Sequence, residues 1–219
     1  MIRVEIWSDI VCPWCYVGKR RFERGLATLE DAGDFEVIHR AFELNPSMPR
    51  GEVRDHRDNL MAKYGLSESQ ATAKQQQMER SAAAEGLEFH LVGGVTGNTF
   101  DAHVLIHLGR VRGIQDAVIE RLFRAHFTEQ RSIFAVDSLV DLAADAGLGP
   151  GEARAALAGN EYADAVNADL RDARGLEISG VPYYVIDRRY AISGAQPPEL
   201  FAEALTRARA DARMAGDRR

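Results

Sequence analysis

Three patterns of apolar and polar positions follow one another along the first 45 residues. Residues 2–9 alternate apolar and polar side chains and are rich in β-branched residues, which predicts a strand. From Pro13 to about Asp31, apolar residues recur at helical spacing, and Gly33 marks the expected end of this helix. A second alternating run at residues 35–42 predicts another strand. Together these segments form a β-α-β unit.

The middle of the chain, from about residue 51 to residue 177, shows only helical periodicity. Short breaks at Gly, Pro or Asn separate seven predicted helices, at residues 53–64, 67–85, 99–112, 114–129, 137–146, 151–158 and 161–176. Ser67, Thr99 and Asp137 are residue types that cap helices, and we expect them to begin three of these elements.

Strand patterns return near the carboxyl terminus. Residues 183–187 and 190–193 are joined by a tight connection and predict a hairpin, and a last helix covers residues 198–213. The outer parts of the chain therefore supply four strands and two helices. The order predicts an α/β protein with a sheet domain made of residues 1–45 and 178–219 and an all-helical insertion at residues 46–177.

Charge and composition exclude several classes of partner. The 219 residues carry 33 acidic and 27 basic side chains, a net charge of -6, and no basic stretch suited to phosphate binding, so we expect no nucleic-acid partner. The first residues carry charges where a signal peptide needs an apolar core, and no window approaches 18 apolar residues. The sequence therefore predicts a cytoplasmic protein without a membrane partner, and composition does not predict its oligomeric state.

The two cysteines, Cys12 and Cys15, lie three positions apart directly after the first predicted strand. One bridge over so short a gap removes little chain entropy, and the cytoplasm keeps structural thiols reduced. On the first turn of a helix, however, the two sulfurs are close enough for reversible bridging. Pro13 fits the first helical position, so the free amides and dipole of that turn favour the thiolate form of Cys12. Cys12 is the expected nucleophile, and the less exposed Cys15 is expected to resolve its mixed disulfide.

The residues between the cysteines, Pro13 and Trp14, carry no charge, which indicates weaker thiolate stabilisation than a histidine would give and hence a weak oxidant. A two-residue gap is also half of a typical zinc site, and His103 with His107 could supply the other half. Zinc modules keep their ligand pairs close, whereas Cys15 and His103 lie 88 positions apart. The pattern favours redox chemistry, with no metal and no cofactor.

A proline immediately before a strand gives a second signal at Val181-Pro182. Such a proline often marks only a turn. Opposite a redox helix it can be cis and can present the Val181 backbone to a bound peptide beside the sulfurs. We therefore expect Val181, Pro182, Pro13 and Trp14 to form the substrate surface.

These motifs resemble the DsbA-like branch of the thioredoxin superfamily, and specifically the cytoplasmic FrnE-like proteins. The resemblance spans the chain and is carried by the segments Ser-Asp-Ile-Val-Cys-Pro-Trp-Cys at 8–15, Gly-Asn-Thr-Phe-Asp-Ala-His at 97–103, Gly-Val-Pro at 180–182 and Ser-Gly-Ala-Gln-Pro at 193–197. It implies a thioredoxin-like fold with a helical insertion, a cis Pro182, and dithiol-disulfide exchange at Cys12 and Cys15. It also places the segment of His103 in a helical lid, where His103 is a candidate substrate contact.

The resemblance implies partners as well: a disulfide-containing protein or a small thiol as substrate, with glutathione or thioredoxin as the reductant. Two relatives on the same fold, kappa-class glutathione transferases and 2-hydroxychromene-2-carboxylate isomerases, carry serine at the position of Cys12. They also tend to carry an acidic residue where this chain has Gln196. A glutathione-dependent transferase or isomerase is therefore the alternative function.

Several polar residues have two interpretations. Asp9 either caps the loop between strand and helix, which we favour, or accepts a proton from Cys15. His103 is either a site residue or a packing residue, since a single histidine on a helix is more often the latter. Asn98 and Thr99 are best interpreted as helix caps.

Overall fold

The computed structural model describes residues 1–216 and contains nine helices and six strands in that range. The helices are α1 Pro13–Ala27, α2 His56–Tyr64, α3 Glu68–Ala83, α4 Phe100–Val111, α5 Gln115–Phe127, α6 Val136–Asp145, α7 Pro150–Ala158, α8 Glu161–Gly175 and α9 Pro198–Gly216. The strands are β1 Ile2–Ser8, β2 Phe35–Ala41, β3 Val53–Asp55, β4 Val95–Gly97, β5 Tyr183–Ile186 and β6 Tyr190–Ser193. No helix within the described range is both long enough and apolar enough to cross a bilayer.

Four of the strands form one mixed sheet in the order β2-β1-β5-β6. β1 runs parallel to β2, with Ile2 opposite Phe35, and antiparallel to β5, with Val4 opposite Ile186. β5 and β6 pair as the predicted hairpin. Because the two halves of the sheet come from the two ends of the chain and only helices and one short ribbon lie between them, the predicted α/β fold with a helical insertion is confirmed.

Alternation along β1 gives the sheet two buried faces. Val4 and Ile6 point to the face covered by α1 and α9, where Phe22 and Phe201 meet edge to face with ring centroids 5.7 Å apart. Trp7 points to the opposite face, towards α8, and its indole nitrogen donates to the Asp169 carbonyl at 3.2 Å. Both faces of β1 are thus held by packing.

The helical insertion packs against the other side of α1. Tyr16 on the first turns of α1 stacks on Phe123 of α5 with ring centroids 4.8 Å apart and on Phe89 at 5.8 Å. The apolar core of the insertion is continuous with Cys12 and Cys15. The start of α1 therefore lies at the junction of sheet and insertion. The exact division at residues 45/46 and 177/178 stays a prediction.

The structure corrects two predicted helix boundaries. The first helix ends at Ala27 and not near residue 31, because Thr28 already turns back, its backbone N–H and its hydroxyl both donating to the Gly25 carbonyl. Gly33 lies inside a separate 3-10 turn, Ala32–Asp34, and does not end the helix. Asp137 does not cap α6 either, because the helix begins one residue earlier, at Val136.

The other predicted caps differ in outcome. Ser67 caps α3 in a reciprocal capping box with Gln70, as expected. Thr99 occupies the cap position of α4 but its side chain makes no capping bond. Asn98 instead accepts the Phe100 N–H at 3.0 Å. Residues 53–55, predicted as the start of a helix, instead form β3, which pairs with β4; three residues per strand are too few to show an alternating pattern.

Candidate functional site

The cysteine motif forms the first turn of α1, as predicted. Cys12 is the N-cap residue, Pro13 is the first helical residue, and the Cys15 N–H donates to the Cys12 carbonyl at 3.0 Å. Both cysteines are free thiols and both are buried, whereas Trp14 between them is 45% exposed. Because β1 ends at Ser8 and the Cys12 N–H donates to the Asp9 carbonyl at 3.0 Å, a tight turn carries the motif from the sheet edge into the helix.

The two sulfurs have different environments. Burial raises the pKa of Cys15 well above its ordinary value, and a hydrogen bond to Cys12 and the charge of Cys12 raise it further. Cys12 lines an open cavity beside the motif, and Cys15 is not among the residues that line it. A disulfide entering from solvent therefore reaches Cys12 first, while Cys15 keeps its proton at neutral pH.

The Val181-Pro182 peptide lies directly opposite Cys12. It is cis, and the Cys12 thiol donates to the Val181 carbonyl with 3.6 Å between sulfur and oxygen. Pro182 is buried, and its own carbonyl accepts the Gly194 N–H at 2.8 Å. The structure therefore brings together Cys12, Val181 and Pro182 from the two ends of the chain.

A buried charged group lies beneath the motif. Asp9 is fully buried, and its Oδ2 accepts the Leu44 N–H at 2.7 Å. Its Oδ1 has no hydrogen-bond partner and lies 3.6 Å from Nε2 of His103, which itself bonds to the Phe42 carbonyl at 3.0 Å. The favoured interpretation of Asp9 as a local cap is wrong, because its carboxylate holds a backbone group 35 positions away.

His103 is 1% exposed and does not line the cavity beside Cys12, which corrects its expected role as a substrate contact. It packs against Asp9 because α4 passes beneath the turn that carries the cysteines. Burial acts against a charge on His103, yet the nearby carboxylate of Asp9 outweighs it and raises the pKa of His103. Burial also raises the pKa of the neighbouring Glu43. The imidazole ring of His103 therefore lies beside the Asp9 carboxyl group, 3.6 Å from its Oδ1.

The two histidines considered as zinc ligands, His103 and His107, contact different acidic residues: His103 lies beside Asp9, and His107 beside Asp169. His107 Nε2 bonds to the Asp169 carboxylate at 2.8 Å, on the side of the molecule where Arg40 also binds Asp169. Burial acts against the Asp169 carboxylate, but these partners lower its pKa. His107 is thus part of a structural charge network.

The cavity beside Cys12 has a volume of about 380 Å³, within the range of small-molecule sites. One wall is the cysteine motif, including Pro13 and the exposed Trp14, and another is built by α2 and α3. The motif supplies a reactive sulfur and an aromatic rim, and the helices supply polar and basic side chains. Two of these, Lys63 and Lys74, were not singled out in the sequence, although they are two of only three lysines in the chain.

Comparison with known proteins identifies relatives along nearly the whole chain. Residues 3–206 match the family model described as the DSBA-like thioredoxin domain. The crystal structure of a probable DsbA oxidoreductase from Streptomyces coelicolor is 48% identical, covers 95% of this chain and 90% of its own, and superposes with a TM-score of 0.91.

Two more distant relatives cover a similar extent. The uncharacterized protein YwbO of Bacillus subtilis (strain 168) is 27% identical over 208 residues, 94% of this chain and 96% of the relative. The cytosolic disulfide reductase DsbM of Pseudomonas aeruginosa is 20% identical, with a TM-score of 0.66 over 94% of this chain and 98% of that protein. At that identity the likeness to DsbM concerns the fold alone.

Proposed function

The chain belongs to the family of DSBA-like thioredoxin domains, and we propose that it is a disulfide reductase or isomerase that cycles between a Cys12-Cys15 dithiol and a disulfide. The observation that carries this proposal is the asymmetry of the two sulfurs. Cys12 lines the cavity, whereas Cys15 is buried behind it and protonated. An attacking thiol and a resolving thiol need this division of roles.

The proposed cycle has two exchange steps. The Cys12 thiolate attacks one sulfur of the substrate disulfide, the substrate S–S bond breaks, and one substrate thiolate leaves. Cys15 then attacks the Cys12 sulfur, closes the Cys12-Cys15 disulfide and releases the second substrate thiol. The substrate gains two electrons and the protein loses two. Glutathione or thioredoxin would return the protein to the dithiol.

We propose that Asp9 accepts the proton that Cys15 loses in the second step. Asp9 is fully buried, its Oδ1 has no hydrogen-bond partner, and its charge is one of the influences that raise the pKa of Cys15. The buried His103 ring lies 3.6 Å from Oδ1 of this carboxylate and helps to hold it in place. His103 is accordingly a positioning residue and not a catalytic one.

The alternative of a glutathione-dependent transferase or isomerase has less support. Relatives with those activities were expected to carry an acidic residue where this chain has Gln196. In this chain the Gln196 side-chain amide donates to the Ser193 carbonyl at 2.8 Å. Position 196 therefore offers no carboxylate that could hold the glutathione amine. Cysteine in place of serine at position 12 also favours disulfide exchange.

A reducing role in the cytoplasm fits the uncharged residues between the sulfurs. Pro13 and Trp14 add no positive charge that would favour the Cys12 thiolate over the disulfide. DsbM, which shares the fold, is described as a cytosolic disulfide reductase, and we propose the same compartment and direction for this chain. Assignment to the FrnE-like branch stays a prediction.

The reduction potential of the Cys12-Cys15 couple tests the proposed direction. We expect equilibration with glutathione buffers, followed by thiol alkylation and mass measurement, to give a potential below the cytosolic poise of roughly -220 to -320 mV. A potential well above that range would make the protein an oxidant or an isomerase and contradict the proposed reducing direction. A protein that never forms the intramolecular disulfide would contradict dithiol cycling altogether.

A further inference from the structure

The cavity beside Cys12 has an unusual charge for this protein. The chain carries a net charge of -6, with 33 acidic side chains in 219 residues. No Asp or Glu lines the cavity, whereas Lys63 and Lys74 both do. An acid-free, lysine-bearing cavity in an acidic protein favours an anionic occupant.

The two lysines are held near each other by one aromatic ring. The ammonium of Lys63 lies 5.7 Å from the centroid of Tyr64, and the ammonium of Lys74 lies 5.8 Å from the same centroid. Neither lysine forms an ion pair with any acidic side chain in the part of the chain that the structure describes. Lys19, the third lysine, is buried among three carboxylates. The two cavity lysines thus keep their charge available for a ligand.

Two uncharged side chains of the cavity wall, those of Gln75 and His56, are held in place by hydrogen bonds. Gln75 is 2% exposed, and its amide nitrogen donates to the Leu91 carbonyl and to Nδ1 of His56, each at 3.0 Å. Burial lowers the pKa of His56, so this ring is neutral at physiological pH. The positive charge of the cavity therefore comes from Lys63 and Lys74, on a wall that faces the same space as Cys12.

We propose that this cavity selects low-molecular-mass disulfides that carry a carboxylate, with Lys63 and Lys74 binding the carboxylate while Cys12 attacks the disulfide. The inference rests on the proposed function and names its substrate class. A volume of about 380 Å³ suits a molecule of a few residues' size. The exchange follows the two steps given above, so one equivalent of disulfide is reduced to two thiols as Cys12 and Cys15 become a disulfide.

The test uses three disulfides of similar size: dithiodipropionate as the anion, hydroxyethyl disulfide as the neutral reference, and cystamine as the cation. Reduced protein is mixed with each, and the single-turnover rate is divided by the rate of the same disulfide with free dithiothreitol. We expect the wild type to prefer the anion over the neutral disulfide by about 3- to 10-fold, since one exposed ion pair contributes up to about fivefold. Added salt should weaken the preference.

Lys63→Gln and Lys74→Gln should each reduce this preference by about two- to fivefold, and the double variant should abolish it, where the preference is the ratio of the anion rate to the neutral rate measured on the same variant. Arg80→Gln is the matched control, because it removes one exposed positive charge from the same helix α3 but outside the cavity. That variant should keep the preference. Thermal unfolding shows separately that the variants are folded.

The outcomes separate this inference from the proposed function. If the wild type reduces none of the three disulfides, the proposed function itself is wrong. If it reduces all three at equal normalised rates, disulfide exchange stands and selection by the lysines is wrong. Loss of the preference in Arg80→Gln to the same extent would also overturn the inference, because the effect would then come from overall charge.

Discussion

Replacing Cys12 by serine is expected to lower the rate of disulfide reduction by at least about 10³-fold. A serine hydroxyl has the right size but stays protonated and is a poor nucleophile towards sulfur, so the first exchange step is lost. Cys12 is the sulfur that lines the cavity and faces the Val181 carbonyl, whereas Cys15 does not line the cavity and has a raised pKa, so it does not replace Cys12. The turnover of insulin disulfides with a thiol reductant measures the effect, and Cys12→Ala should behave in the same way.

Cys15→Ser is the matched control for this loss. It removes one sulfur from the same turn but keeps the attacking thiol, so its first exchange with substrate should continue while turnover falls, because only the external reductant can then release the mixed disulfide. Thermal unfolding of each variant separates loss of chemistry from loss of fold. Full turnover of a glutathione conjugate by Cys12→Ser would contradict the account and favour a transferase, because serine occupies that position in the transferase relatives.

Replacing Asp9 by asparagine is expected to slow closure of the Cys12-Cys15 disulfide by about 10²-fold at neutral pH, the usual contribution of a positioned general base. The pKa of Cys15 is raised by burial, so its thiolate is scarce at pH 7 and needs a proton acceptor. Asparagine can still accept the Leu44 N–H but cannot take a proton. The loss should therefore concern chemistry more than stability.

The pH dependence follows from the direction of the Cys15 shift. Below a raised pKa the thiolate fraction increases about tenfold for each pH unit. Closure in Asp9→Asn should therefore accelerate about tenfold per unit between pH 7 and pH 9, whereas closure in the wild type should rise less steeply because Asp9 takes the proton. Rapid mixing followed by an acid quench measures the rate at which the Cys12-Cys15 disulfide closes, separately from the rate of the first exchange. Equal slowing of both steps, or an unchanged closure rate, would overturn this role of Asp9.

The sequence predicted those parts of the fold that rest on long, regular patterns. The alternation at residues 2–9 predicts a strand, and the helical spacing after Pro13 predicts a helix. Together they place the cysteine motif on the first turn of α1. The proline before a strand also predicted correctly that the Val181-Pro182 peptide is cis and lies beside the cysteine motif. These features are local, so neighbouring residues suffice to identify them.

The features that were missed depend on contacts between distant segments. His103 appeared to belong to a lid over the substrate, yet nearly all of α4 from Phe100 to Gly109 is buried, and the packing of this helix turns His103 towards Asp9. Lys63 and Lys74 lie on two different helices, and only the close approach of α2 and α3 brings them to Tyr64 and to the cavity. The spacing of apolar residues along the chain does not predict which two helices come close together. The scarcity of lysine in the chain was the one available signal.

The central claim, that Cys12 attacks and Cys15 resolves, is tested most directly by trapping the intermediate. Reduced Cys15→Ser is mixed with a disulfide substrate, the remaining thiols are alkylated, and the intact protein and its peptides are weighed by mass spectrometry. The account predicts one substrate half bound per chain through a disulfide at Cys12, stable until a reductant is added. Absence of this adduct, or release of the second substrate half from Cys15→Ser without any reductant, would contradict it.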